Sequence, residues 1–127
     1  MAILFNSLRV GDIIRVDEFP DAYDRDLKLR RVCVVYLGKA ADEETILAAG
    51  IATVHGFQEI KNGTFLPHTP GGDPSTGLTQ KSAVHFDWVK PVTIENIVEK
   101  CGRCSSLKRS EILDGVQKEI AKHLNGK

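Results

Sequence analysis

No stretch of the 127-residue sequence approaches the roughly 18 consecutive apolar residues that a membrane-spanning helix requires. The opening Met1–Val10 has no charged region followed by a long apolar run, so it is not expected to act as a signal peptide. Charge of one sign is not in excess either: seventeen basic and seventeen acidic side chains cancel. A global basic field for nucleic acid is therefore absent, and any polyanion site has to be a local patch. Cysteine is scarce and odd in number, three residues in all, which fits a reducing cytoplasm and no disulfide framework. Internal repeats, low-complexity tracts and signs of a second domain are also absent. One domain over 1–127, with its core at about 9–124, is the expectation.

Several cofactor chemistries lack their signatures. Cys101-Gly-Arg-Cys104 is a CxxC, but zinc needs about four ligands and no second close Cys/His pair follows. The βαβ setting of a thioredoxin-type redox motif is missing too, so two small residues at a tight bend are the reading. Gly71-Gly72-Asp73-Pro74 and Gly77 are followed by no Lys-Ser/Thr at phosphate-loop spacing. The acidic runs Glu43-Glu44 and Asp21–Asp26 lack calcium-loop spacing. No metal and no cofactor are expected.

What is present is β-rich. Arg9–Asp17 reads as a strand on Val10, Ile13, Ile14 and Val16. Glu18–Leu29, with Pro20 and its aspartates, reads as a long exposed loop. From Val32 the run Arg30–Leu37 is continuously apolar, the mark of a strand buried on both faces. Gly38–Thr45 reads as a connector. Ile46–Val54 is a strand or, by its alanines, a helix, with Gly50 at a bulge. Asn62-Gly63 signals a hairpin within Phe57–Phe65, and Leu66–Gly77 is a loop with no structure of its own.

Along Lys81–Val92, alternation places Val84, Phe86 and Trp88 on one face and His85, Asp87 and Val89 on the other. Thr93 starts a helical turn. Ser105 or Ser106 caps a helix whose Ile112, Leu113, Val116, Ile120 and Leu124 recur at three- and four-residue steps, ending at Asn125-Gly126. The pattern implies an α+β chain, mainly β: a small barrel or tightly curled sheet with a C-terminal amphipathic helix.

His85 and Asp87 stand out. Two apart on a strand, they project from one face about 7 Å apart and reach one bound group. An imidazole with a pKa of about 6.5 donates or accepts a proton near neutrality, and a carboxylate acts as base or orients the ring. Taken alone, the pair reads as a surface ion pair. Its company is what points to a phosphodiester: Lys81, Ser82 and Lys90 lie on the same segment, and Lys28, Arg30 and Arg31 enter another strand.

Three separated stretches resemble the MazF/PemK/Kid family of toxin endoribonucleases. Val10-Gly11-Asp12-Ile13-Ile14 is similar to its opening RGD-plus-strand element. Lys28-Leu-Arg30-Arg31-Val-Cys-Val-Val is similar to its K-x-R-P strand. Gly77-Leu78, then Ser82-Ala-Val-His-Phe-Asp-Trp, then Lys90-Pro-Val-Thr resembles its G-L…S-x-V…D-Q…R-T-I segment in register. Cys101-Gly102-Arg103 resembles the turn before its last helix. Together these run from about Arg9 to Leu124.

The resemblance implies an SH3-like barrel of the CcdB/PemK type and a homodimer held in check by a cognate antitoxin. It also implies metal-independent cleavage of single-stranded RNA in the cytoplasm, with no membrane partner. It implies Arg30 as stabiliser of the phosphate, Asp87 as general base, and His85 as acid where some members carry arginine. Lys28, Arg31, His55, Lys81, Ser82 and Lys90 become expected RNA contacts. Departures are Arg31 for the usual proline, His55-Gly56 for a Thr-Ser pair, and Asp21, Asp24 and Asp26 in the first loop. A MazF-like domain that only binds, and a CcdB-like gyrase poison, are the alternatives. The second lacks its Trp-Gly-Ile tail here.

Overall fold

The computed structural model describes residues 3–22, 26–54 and 60–125, the side chains of His123 and Asn125 excepted. Six strands form one sheet, every paired neighbour antiparallel: β1 (Asp12–Pro20), β2 (Leu27–Ala40), β3 (Glu43–Thr53), β4 (Gly63–Leu66), β5 (Ser82–Pro91) and β6 (Ile97–Arg103). Their order is β4-β5-β3-β2-β1-β6. The sheet curls into a half-barrel, and the helix α1 (Ser106–Asn125) follows it. The expected fold class, mainly β with a C-terminal helix, is what the chain adopts.

Apolar residues on both faces of the sheet give it two cores, one on each side. Ile14, Val16, Val32, Val34, Ile46, Ala48 and Ile97 fill the concave face with Phe19 and Trp88. On the other face Ile13, Cys33, Val35, Ala49, Ile51 and Val84 pack under Ile112 and Val116 of α1 and under Leu66 and Leu78. Adjacent residues of β2 thus enter different cores, the structural meaning of its unbroken apolar run. Asp12, fully buried at the start of β1, accepts the Arg9 amide (2.9 Å) and Arg103 Nε (2.8 Å), with Lys100 Nζ at 3.5 Å. It is a structural anchor tying β1 to β6.

Several expectations need correction. Glu18–Leu29 is not a long loop: β1 runs to Pro20, β2 begins at Leu27, and Asp21 N donates to Asp26 O (2.8 Å) to close a hairpin. Between Val16 and Phe19 the register shifts, with Glu18 at φ 57°, and this bulge turns Phe19 into the core. Gly38–Thr45 is mostly strand, β2 and β3 being joined at Ala41 (φ 54°) and Asp42.

The Ile46–Val54 segment is strand rather than helix as far as Thr53, where β3 ends, and its ladder to β5 is irregular between Ala49 and Ile51, around Gly50. Asn62-Gly63 leads into β4, which pairs with β5, and Phe57–Glu59 lie outside the described residues. Leu66–Gly77 is a knitted loop: Thr69 N and Asp73 N both donate to Leu78 O, and Arg103 N donates to Ser75 O. Past the short turn Ile94–Asn96, the Ile97–Lys100 segment is strand, because β-branched Ile97 and Val98 find a ladder on β1.

Cys101, Gly102 and Arg103 end β6 rather than making a bend. Ser105 is the helix cap, its Oγ accepting Lys108 N (3.2 Å). The apolar stripe is buried only at its start, since Ile120 is 50% and Leu124 72% exposed. Gly126 lies outside the described residues.

Candidate functional site

The ladder between β2 and β3 begins at Val32–Gly50. Before Val32, β2 pairs with β1, and after Gly50, β3 pairs with β5. The two strands therefore part at one end of the half-barrel and leave a cleft of about 300 Å³. Arg30 enters it from β2, His85 and Asp87 from β5, Asp21 from the β1–β2 turn, and Trp88 lines it as well.

Arg30 is there by parity, sharing the concave face with Val32 and Val34. Trp88 is there against parity. From Val84 to Val89, β5 spends five residues while β3 advances only from Ile51 to Ala49. The extra residues turn Trp88 off the Val84–Phe86 face and into the concave core, while Val89 packs on the helix side. This corrects the expectation that Trp88 stays with Val84 and Phe86 and Val89 with His85. Gly50 makes the room, because a β-carbon there would overlap the indole.

Trp88 organises what surrounds it. Its Nε1 donates to Pro20 O (2.9 Å), and Phe19 meets it edge-on at 5.7 Å. The Arg30 guanidinium carbon lies 5.1 Å from the ring centre, and the His85 ring stands 6.2 Å away at 63°. Arg30 Nη2 pairs with Asp21 Oδ2 at 2.7 Å, both side chains 21% exposed. Arg30 Nε is buried and makes no hydrogen bond among the described residues. His85 is half-buried and Asp87 exposed, and no hydrogen bond or ion pair joins them. A cation stacked on an indole, an imidazole and a carboxylate thus share one cleft, groups whose chemistry suits holding an anion and exchanging protons.

The other candidates are more scattered. Lys28 is exposed two residues before Arg30. Arg31 faces the opposite side of the sheet, where with Leu29 and Ser82 it lines a second groove of about 360 Å³ that meets the cleft at Arg30. Ser82 is buried and its Oγ donates to Gln80 O (2.9 Å). Lys81 Nζ sits 4.9 Å from the Phe65 ring centre, and Lys90 pairs across the ladder with Ala48, away from the cleft lining. His55 and Asp24 lie outside the described residues.

Sequence reasoning missed Asp21, placed in an exposed loop, and Trp88, placed on the wrong face. The usable signal was a glycine inside a strand, which marks close approach of something bulky.

Cys33 and Cys104 bring their sulfurs to 3.9 Å beneath the helix. Their contact raises the Cys33 thiol, which burial raises further, and lowers that of Cys104. Burial raises the partly exposed Cys101. Among the described residues no three His, Cys, Asp or Glu side chains converge to hold a metal ion. No helix among them is long and apolar enough to cross a membrane.

The class these features define is a small α+β barrel protein with a polar cleft where two strands part. A solved structure described as an endoribonuclease in complex with its cognate antitoxin, from a mycobacterial species, has the same fold. The TM-score is 0.58 at 15% identity, covering 87% of this chain and 92% of that one. The sequence matches no family model, and no curated protein matches it.

Proposed function

We propose that this chain is a MazF/PemK-like toxin of a toxin–antitoxin pair, an endoribonuclease that cleaves single-stranded RNA without a metal. The observation that carries the reading is the meeting of Arg30, His85 and Asp87, from strands that are not neighbours, in one cleft beside Trp88. Support comes from the motif resemblance and from the fold shared with an endoribonuclease.

In the proposed reaction the ribose 2′-hydroxyl attacks the adjacent phosphorus. Asp87 takes its proton, and His85 gives one to the departing 5′-oxygen, leaving a 2′,3′-cyclic phosphate and a 5′-hydroxyl. Arg30 takes the charge that gathers on the non-bridging oxygens. Lys28, Arg31, His55, Lys81, Ser82 and Lys90 are proposed contacts along the strand. A homodimer, a cognate antitoxin and a cytoplasmic site of action belong to the same proposal.

The test incubates the purified chain with single-stranded RNA in EDTA. Cleavage that survives chelation, and falls about a hundredfold or more in His85→Ala and Asp87→Ala, is the expected result. RNA left intact across diverse sequences refutes the nuclease. A second reading, a domain that binds without cleaving, is favoured by one observation: Asp21 already neutralises Arg30.

A further inference from the structure

The Asp21–Arg30 pair is a built contact. At 2.7 Å and one-fifth exposure on both sides it is short and sheltered. Asp21 is held from two directions: its amide closes the turn on Asp26 O, and the preceding Pro20 carbonyl is clamped by Trp88 Nε1. Trp88 in turn lies against the Arg30 guanidinium. The carboxylate therefore arrives at Arg30 on a short tether whose root is fixed to the ring beside its partner. It occupies the guanidinium nitrogen Nη2, while Nε is buried with no hydrogen-bond partner among the described residues.

We propose that Asp21 is a specificity-determining residue: an internal anion on Arg30 that admits a phosphodiester anchored along a strand and turns away free phosphate. The proposal rests on the RNA reading above, and it assigns Asp21 no proton transfer. A carboxylate on so short a tether competes at an effective concentration of about millimolar or higher. Inorganic phosphate, with no other foothold, has to match that alone. A polynucleotide arrives already held by neighbouring contacts such as Lys28 and His85, so its phosphate at Arg30 is also an intramolecular competitor. It displaces Asp21 where the free ion fails. The same pair gives one acid of the first loop, Asp21, a cationic partner beside the cleft.

The test compares the full chain with Asp21→Asn and Asp21→Ala, each first shown to keep the melting temperature and tryptophan emission of the parent. The probe is a labelled 2′-O-methyl oligoribonucleotide, which binds without being cleaved, read by anisotropy with inorganic phosphate as competitor. Asp21→Asn is expected to bind about tenfold tighter, the factor a single close charge contact commonly carries. Its salt dependence should steepen by about 0.7 in log–log slope. Millimolar phosphate should displace the oligonucleotide from the variants at concentrations that leave the parent complex intact.

Equal or weaker binding by both variants, with unchanged phosphate sensitivity, overturns the proposal and makes Asp21 an orienting partner of Arg30. If no form binds the oligonucleotide, the RNA reading fails. What then stands on its own, that Asp21 keeps free phosphate off Arg30, is decided by inorganic phosphate alone: thermal stabilisation of the variants but not of the parent supports it, and no stabilisation of any form overturns it.

Discussion

Replacing Gly50 by alanine tests the arrangement that holds the cleft together. The new methyl would overlap the six-membered ring of Trp88, so the indole has to move. Forcing a carbon into a packed core costs about 1–3 kcal/mol. Displacing the ring also strains the Nε1 bond to Pro20 O, worth about 1 kcal/mol, and the edge contact with Phe19, worth about 0.5–1.5 kcal/mol. Alanine recovers about 0.5–1 kcal/mol by its lower backbone entropy. A net loss of about 1.5–5 kcal/mol follows, and at about 4 °C per kcal/mol for a chain of this length the melting temperature falls by about 6–20 °C.

Trp88 is the only tryptophan, so its emission reports the same displacement directly, and the Arg30 stack should loosen with it. The assay is thermal unfolding with emission spectra, repeated in a Trp88→Leu background. With the ring removed, Gly50→Ala should cost little, a coupling of the size seen for residues in contact. A Gly50→Ala chain that melts within about 1 °C of the parent with unchanged emission would refute the reasoning.

Two further outcomes come from other parts of the fold. Gly115→Ala in α1, which by helix propensity alone should stabilise by about 1 kcal/mol, is expected to lower the melting temperature instead, because the added carbon meets the Phe86 ring; a rise would show that β5 and the helix separate freely. The amides of Thr76 and Ser75 (3.0 and 2.8 Å) hold the Asp73 carboxyl below the usual carboxylate range. Because that value is depressed in the fold, its contribution is complete above the unfolded value and is lost as pH falls through the folded one, below about pH 4. Protection of the Ser75 and Thr76 amides, taken relative to their intrinsic exchange at each pH, should fall in that window in the parent but not in Asp73→Asn; identical profiles in both chains would count against it.

Local chemistry was enough for much of this protein. β-Branched residues and the double-sided apolar run of Val32–Val35 announce strands, Ser105 announces the helix, and Gly50 its bulge. Period-2 alternation puts His85 and Asp87 on one face, and both line the cleft, although the irregular stretch Val84–Val89 that holds them takes Trp88 and Val89 off that alternation. Where the reading failed, the deciding contact came from far along the chain. Ile97–Lys100 carries no strand signal beyond its β-branched residues, and it is a strand because β1, more than eighty residues earlier, offers an edge.

A bulge brings Phe19, read as part of an exposed loop, into the core, and the irregular pairing of β5 reverses the face expected of Trp88, since a one-residue slip flips every side chain that follows. Asp21, read as a solvated loop acid, meets Arg30 because a hairpin turn and a ring on a distant strand bring the two within hydrogen-bonding reach. Composition and period settle which residues are apolar and which way neighbours point. Register between strands settles which charges face one another, and register is a property of the assembled sheet, where burial of both faces leaves only one alignment favourable.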